Sequence, residues 1–479
     1  MDFVTPALAP ALPEIVLLGG VCAVMLVDLF WPGREQVVTF VGSLVVLLLT
    51  LWSLSAGEPS PVTTFSGSYV SDALAVVIKA AAVLGVAAIF IYGRDYFRKH
   101  GLSRGEFYTL GLFALLGVMI LASAGSLLTL YLGLETLSLS LYALVAFNRD
   151  SPLASEAAIK YFFLGALSSG MLLYGMSIIY GATGTLDLVQ ISATVGERLS
   201  SGELSTVLGL GLVFLVVGIA FKLGAAPFHM WVPDIYHGAP TPITMYLGTV
   251  SKVGALALAL RLLVGGLEDL LQQWQQMLVV MSVLSLAIGN VLAIAQTNLK
   301  RMLAYSTISH MGFFLLGLLA GTSLGYGAAL FYMLTYALTG LGAFGMIILL
   351  SHKGFEAEQI DDFAGLGQRS PWYALVMMVI MFSLAGVPPM VGFYAKLAVL
   401  QAVVEQGMVW LAVAGVLFSV IGAFYYLRVI KVMYFDAPDS AVIPTGPAEA
   451  RTLMSLNGLA VLALGIFPGP LLALCNAVF

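Results

Sequence analysis

Apolar residues run along this chain in blocks of about twenty, and each block closes on a short stretch of charged residues, glycine or proline. A block of that length crosses the ~30 Å apolar core of a bilayer as a helix. Run length and punctuation predict fourteen spans, at 12–30, 37–55, 73–92, 106–123, 127–147, 156–180, 205–236, 241–264, 275–296, 301–320, 324–351, 372–402, 407–434 and 453–474. The seventh and twelfth are too long for a straight crossing. The seventh reads "FKLGAAPFHMWVPDIYHGAPTP", with Pro227 and Pro233, and the twelfth reads "SLAGVPPMVGFYAKLAVL", with Pro388 and Pro389. Proline withdraws a donor and clashes with the turn before it, so each block breaks near its centre. Broken backbone at membrane depth persists only where protein or a wet cavity covers it.

The two breaks lie five spans apart. Interrupted segments in corresponding places point to a transporter-like chain built from repeats. Five is an odd number, so the second copy is inverted relative to the first. The expected organisation is an N-terminal three-helix segment (1–105), a first five-helix repeat (106–264, spans four to eight), an inverted second repeat (275–435, spans nine to thirteen) and a C-terminal helix (451–479). The fold class is all-α and integral to the membrane.

Composition agrees: 60% of the 479 residues are hydrophobic and 9% charged, against about 25% charged in soluble domains. The net charge of -5 is spread thinly and suggests no nucleic-acid partner. Cys22 and Cys475 sit at opposite ends in apolar segments, with no C-x-x-C pair to suggest an iron–sulfur or zinc site. No basic stretch precedes the first block, which reads as a retained span. With the N-terminus outside, the cytoplasmic side gathers Arg34, Arg94, Arg98, Lys99, Arg104, Arg149, Lys300, Arg301, Lys353, Arg369, Arg428, Lys431 and Arg451, and the outer side keeps Arg198 and Arg261. That separation predicts fourteen spans with both termini outside. Trp31 and Trp372 read as interfacial anchors.

The remaining five cations, Lys79, Lys160, Lys222, Lys252 and Lys396, fall inside predicted spans. So does Glu135, the only charged residue between Phe107 and Phe147. A charge at the bilayer centre costs roughly 2.5–3.5 kcal/mol on insertion scales, so it faces a protein interior and a partner. Burial disfavours a charge and a nearby opposite charge favours it. A group poised between those effects changes protonation when its neighbour moves. Each residue also has a plainer reading. Glu135 could lock two helices through a static ion pair. Lys222, just before the Pro227 break, could cap freed carbonyls. Lys252 could be a satisfied core lysine. Lys396, just after the Pro388–Pro389 break, could snorkel toward the outer surface. Lys160 is balanced between snorkelling and function, and Lys79 reads as structural. His310 sits among Ser306, Thr307 and Ser309, which favours a proton relay over a lone helix-bonded histidine. His229 and His237 read as loop anchors, with no metal spacing around them.

The glycines of "LGLGL" at 208–212 lie inside a span, with neither the preceding strand nor the following acidic residue of a dinucleotide fingerprint. No phosphate loop is present. The energy for transport must come from an ion gradient or from another subunit.

The stretches "LYLGLETLSLSLYALVAF", "FKLGAAPFHMWVPDIYHGAPTPIT", "SKVGALALALRLL", "NLKRMLAYSTISHMGFFLLGL" and "GVPPMVGFYAKL" resemble the antiporter-like subunits of the proton-pumping NADH:quinone oxidoreductase, respiratory complex I. The resemblance covers nearly the whole chain. Within that family, "LPEIVLLGGVCAVMLVDLF" and "EAAIKYFFLGALSSGMLLYGMSIIYGATG" look most like the N type. The L type carries a long lateral helix, whereas this chain stops at Phe479. The M type has a glutamate where Lys396 stands. The resemblance implies that Glu135 pairs with Lys222, that Lys252 is the central connection, that Lys396 faces the outer half-channel, and that His310 and Lys160 join the proton route. It places FMN, iron–sulfur clusters and quinone in partner subunits and none in this chain. It implies a hetero-oligomer with a sister antiporter-like subunit and small membrane subunits, in a bacterial inner membrane. At an effective dielectric near 20, unit charges ~4 Å apart interact by about 4 kcal/mol, enough for one moving carboxylate to decide whether a lysine keeps its proton. Rival functions are a subunit of a multisubunit cation/proton antiporter or membrane-bound hydrogenase, a structural scaffold, and a solute transporter.

Overall fold

The computed structural model describes residues 6–30, 36–55, 61–200, 206–437 and 446–479; Trp31 and Arg34 lie outside them. Helices α1 (Leu12–Phe30), α2 (Val37–Ser55) and α3 (Ala73–Lys99) form the N-terminal segment. Then follow α4 (Glu106–Ala122), α5 (Leu127–Val145), α6 (Pro152–Thr183) and the short α7 (Leu188–Ser200). The broken seventh span is α8 (Thr206–Leu223) and α9 (Trp231–Gly238). The eighth is α10 (Thr241–Gly248) and α11 (Val250–Ala259), which runs into a π-turn at Leu260–Val264.

The second half repeats the order. Helices α12 (Leu271–Ile294), α13 (Leu299–Leu319) and α14 (Ser323–Leu350) lead through the small α15 (Leu366–Arg369) to the broken pair α16 (Pro371–Ala385) and α17 (Val391–Glu405). Then come α18 (Val409–Phe435), α19 (Ala448–Ile466) and α20 (Gly469–Asn476). The packing repeats as well. Helix α4 lies along α5 as α12 lies along α13, α5 meets α6 as α13 meets α14, and α4 meets α11 as α12 meets α18. The tight crossings depend on missing side chains: a Cβ on Gly117 would stand 2.5 Å from the Leu137 amide, and one on Gly289 would stand 2.5 Å from the Ser309 amide. Small residues at such crossings are how helices approach closely in lipid. Both central breaks begin at a left-handed glycine, Gly224 (φ 74°) and Gly386 (φ 85°), a conformation that strains any residue with a Cβ.

Four features depart from the expected pattern. Eleven described helical segments are long and apolar enough to cross a membrane, twelve with the bent pair α19–α20 taken as one. The count of fourteen is not reached because α4 has 17 residues and the halves α16 and α17 have 15 each. The eighth span is interrupted at Thr249, with no proline to mark it. A small antiparallel hairpin, β1 (Val62–Thr64) with β2 (Tyr69–Ser71), interrupts the all-helical chain, its turn carried by positive φ at Phe65, Ser66 and Gly67. Helix α7 is a short amphipathic helix that the apolar-run criterion passes over.

Candidate functional site

The charged residues of the first half collect where α8 breaks. The last turn of α8 leaves carbonyls without helical partners. The Lys252 ammonium, arriving from α11, donates to two of them, Leu223 at 2.8 Å and Lys222 at 3.2 Å. It also sits 4.8 Å over the Trp231 ring. The capping role considered for Lys222 thus belongs to Lys252, which is fully buried.

Lys222 points elsewhere. Its ammonium donates to Ser138 Oγ at 2.9 Å and to Ser169 Oγ at 3.3 Å. The expected direct pair with Glu135 is not formed among the described residues. The reason is local: Ser138 stands one turn beyond Glu135 on the same face of α5, and its hydroxyl takes the position nearest the ammonium. Glu135 remains within range of Lys222 through its charge. Its Oε1 is buried without a hydrogen-bond partner. An unpaired buried carboxylate oxygen is costly, and a swing toward Lys222 would satisfy it.

In the second half, His310 is held at both ring nitrogens, Nδ1 against Tyr332 Oη at 2.6 Å and Nε2 against Tyr426 Oη at 3.1 Å. Tyr426 also bonds Ser306, and Thr307 accepts from Tyr336 at 2.7 Å. A cavity with room for about one water adjoins His310, Tyr336, Thr339 and Ser383. Lys396 donates to the Ala385 carbonyl at the end of α16 (2.8 Å) and to Ser419 (2.9 Å), and lies 4.9 Å over the Phe313 ring. It is 8% exposed, so it does not snorkel. Lys252 and Lys396 therefore do the same work at the two breaks.

Lys160 stands apart. Its side chain is 41% exposed and pairs with Glu156 and Asp234, each at 2.8 Å, while Arg301 holds Asp234 from the other side at 2.9 Å. Lys79 pairs with Glu14 at 2.6 Å, with the Tyr69 hydroxyl 2.7 Å from Glu14 and 2.9 Å from Lys79. The structural reading of Lys79 fits this closed triad. Sequence reasoning had not singled out Ser138, Ser169, Tyr332, Tyr426, Ser419 or Glu14. Helical spacing from Glu135 could have flagged Ser138; the others meet their partners only through tertiary packing. His237 faces Glu358 at 3.9 Å, the anchoring role expected of it.

A family model described as NADH:quinone oxidoreductase/Mrp antiporter, transmembrane, matches residues 124–422. NADH-quinone oxidoreductase subunit N of Thioalkalivibrio sulfidiphilus is 55% identical over 99% of both chains. The chain belongs to the subunit N family of NADH-quinone oxidoreductases. A chain of respiratory complex I from Thermus thermophilus superposes with a TM-score of 0.82 at 33% identity, covering 96% of this chain and 98% of that one. A chain of the Mrp complex from Dietzia sp. shares the fold, with a TM-score of 0.83 at 18% identity over 98% and 97% of the two chains. Cys22 is exposed on α1 and Cys475 is buried on α20, and among the described residues no three or more His, Cys, Asp or Glu are grouped to hold a metal ion.

Proposed function

We propose that this chain is a proton-translocating membrane subunit of an NADH:quinone oxidoreductase, driven by quinone reduction in partner subunits. Hydride and electron chemistry belongs to partners carrying FMN, iron–sulfur clusters and the quinone site. This chain supplies the path for protons. Glu135 is the switchable charge. When it swings toward Lys222 it holds that ammonium; when it withdraws, the proton leaves through hydroxyls and water toward Lys252, His310 and Lys396. Lys160 acts at the surface end of this path. The observation that carries this reading is the pair of unlike states at one place: a buried carboxylate oxygen on α5 without a hydrogen-bond partner, and a lysine on α8 whose ammonium donates to two hydroxyls, one of them a turn from that carboxylate.

In this reading α4, α16–α17 and the bent α19–α20 complete fourteen spans, with 106–264 and 275–435 as inverted half-channels. Both termini face the outer side of a bacterial inner membrane, and the partners are a sister antiporter-like subunit and small membrane subunits. A second reading, a subunit of a multisubunit cation/proton antiporter, is favoured by the fold shared with the Mrp complex and by the family model, whose description covers Mrp antiporters as well. The two separate in sealed vesicles of the assembled complex. NADH-driven acidification that proceeds unchanged without sodium or potassium supports proton pumping. Strict dependence on either cation, or purification with no quinone-reducing partner, favours the antiporter.

A further inference from the structure

Two cavities lie end to end along α6 and α9. The first, about 160 Å³, opens beside Glu156, Ala157, Lys160, Asp234, His237 and Arg301. The second, about 20 Å³, is lined by Ser138, Lys222, Ser251, Ala255 and three aromatic rings, Tyr161, Phe221 and Trp231. Two of those rings stand about one helical turn from two residues that line the first cavity: Tyr161 follows Ala157 by four positions on α6, and Trp231 precedes Asp234 by three on α9. They are stacked, with centroids 5.1 Å apart and planes 21° apart, and Phe221 also stacks on Trp231 at 5.5 Å. Tyr161 is 6% exposed and Trp231 3%. The Trp231 indole is fixed by its Nε1, which donates to the Phe221 carbonyl at 3.0 Å, and by the Lys252 ammonium above its ring. Tyr161 meets Tyr142 edge-on, with ring centroids 4.7 Å apart.

We propose that the charged cavity is the mouth through which protons reach Lys222, and that Tyr161 is a movable partition closing it against Trp231. This rests on the proton-conducting function proposed above. The charged residues keep water at the mouth, since ionised groups at a cavity wall retain their hydration. The stacked rings interrupt that water, because a proton needs a continuous chain of hydrogen-bonding groups. Rotation of the Tyr161 ring away from Trp231 joins the two cavities without disturbing Trp231, which Lys252 holds in place.

Accessibility tests this independently of pumping. In the assembled complex, with Cys22 and Cys475 of this chain replaced by serine, Leu153→Cys, at a 46% exposed position on the wall of the first cavity, reports the mouth and Ala255→Cys, at a 3% exposed one, the inner cavity. A membrane-impermeant methanethiosulfonate is added to inside-out vesicles and its attachment to this chain followed by mass. Leu153→Cys is expected to react readily, and Ala255→Cys more than ~10-fold more slowly, since reaction there waits on local opening. Tyr161→Ala should bring the two rates within about threefold, whereas Tyr161→Phe, which keeps the ring, should preserve the difference. If Tyr161→Ala does not assemble, Tyr161→Leu serves in its place. Equal labelling with the native ring, or continued protection after its removal, overturns the partition. Labelling as expected alongside unimpaired pumping in Glu135→Gln would leave the partition standing and remove the role given to Glu135.

Discussion

Lys79 and Lys300 are the fully buried cations among the described residues that the proposed route does not use, and the exclusion of Lys79 can be tested thermodynamically. Its ammonium lies 2.6 Å from Glu14 Oε1, and the Tyr69 hydroxyl bridges the pair. Removing one partner of such a buried pair leaves an uncompensated charge, at a cost of roughly 3–5 kcal/mol. Replacing both with apolar residues of similar volume is close to neutral. Tyr69 would keep its bond to the Pro10 carbonyl at 3.0 Å. Lys79→Met and Glu14→Met should therefore each destabilise strongly, and the double variant should recover most of the loss, a coupling of at least ~3 kcal/mol. The assay is denaturant unfolding of the lipid-embedded complex followed on this chain, with NADH-driven pumping measured on each variant that assembles. Additive losses would show that the pair is not an isolated unit. A stable double variant that no longer pumps would place Lys79 on the proton route and refute the reasoning.

Three further outcomes follow from the geometry. Gly117→Val should separate α4 from α5, since its Cβ would meet the Leu137 amide at 2.5 Å; overpacking of this kind costs about 1–3 kcal/mol, visible as reduced assembled complex on a native gel, and full assembly would contradict it. Tyr426→Phe removes the bond to His310 Nε2, worth about 0.5–1.5 kcal/mol, so pumping should slow by roughly 2–10-fold at wild-type assembly; an unchanged rate would take Tyr426 out of the relay. Burial raises the affinity of the Glu358 carboxyl for its proton, but the bond to His237 and the charge of Lys300 outweigh it and hold Glu358 below the ordinary glutamate range. A carboxylate depressed in this way stabilises the fold above its unfolded value, about 4.3, and that contribution is lost as pH falls through the lower folded value. The backbone bond from Leu299 to the Glu358 carbonyl should then open to hydrogen exchange only in that acid range, and His237→Ala should move the onset to higher pH.

The spans were legible because a membrane helix carries its signal in one run of residues. The two breaks were legible because proline marks them. The interruption at Thr249 was not, since it falls in an unbroken apolar run and arises from packing around Lys252 rather than from a local signal. The buried charges could be named from the sequence, but not their partners. Glu135 and Lys222 are separated by a hydroxyl that is visible only once α5 and α8 are side by side. Lys160 reads as a membrane residue by position, yet the start of α6 leaves it 41% exposed among counter-charges, because Asp234 is carried there by the broken α9. Lys252 and Lys396 sit on elements that do not correspond in the two halves, α11 and α17, and their shared work at the two breaks shows only in three dimensions.

The central claim is that Glu135 is a charge that moves rather than a fixed strut. Glu135→Gln removes the charge and keeps the shape. In the assembled complex, quinone reduction by NADH and acidification of the same vesicles are measured together, with assembly checked on a native gel. The account predicts normal assembly with a fall in both pumping and coupled turnover. Normal assembly with both activities unchanged would contradict it, and would make Glu135 a structural carboxylate.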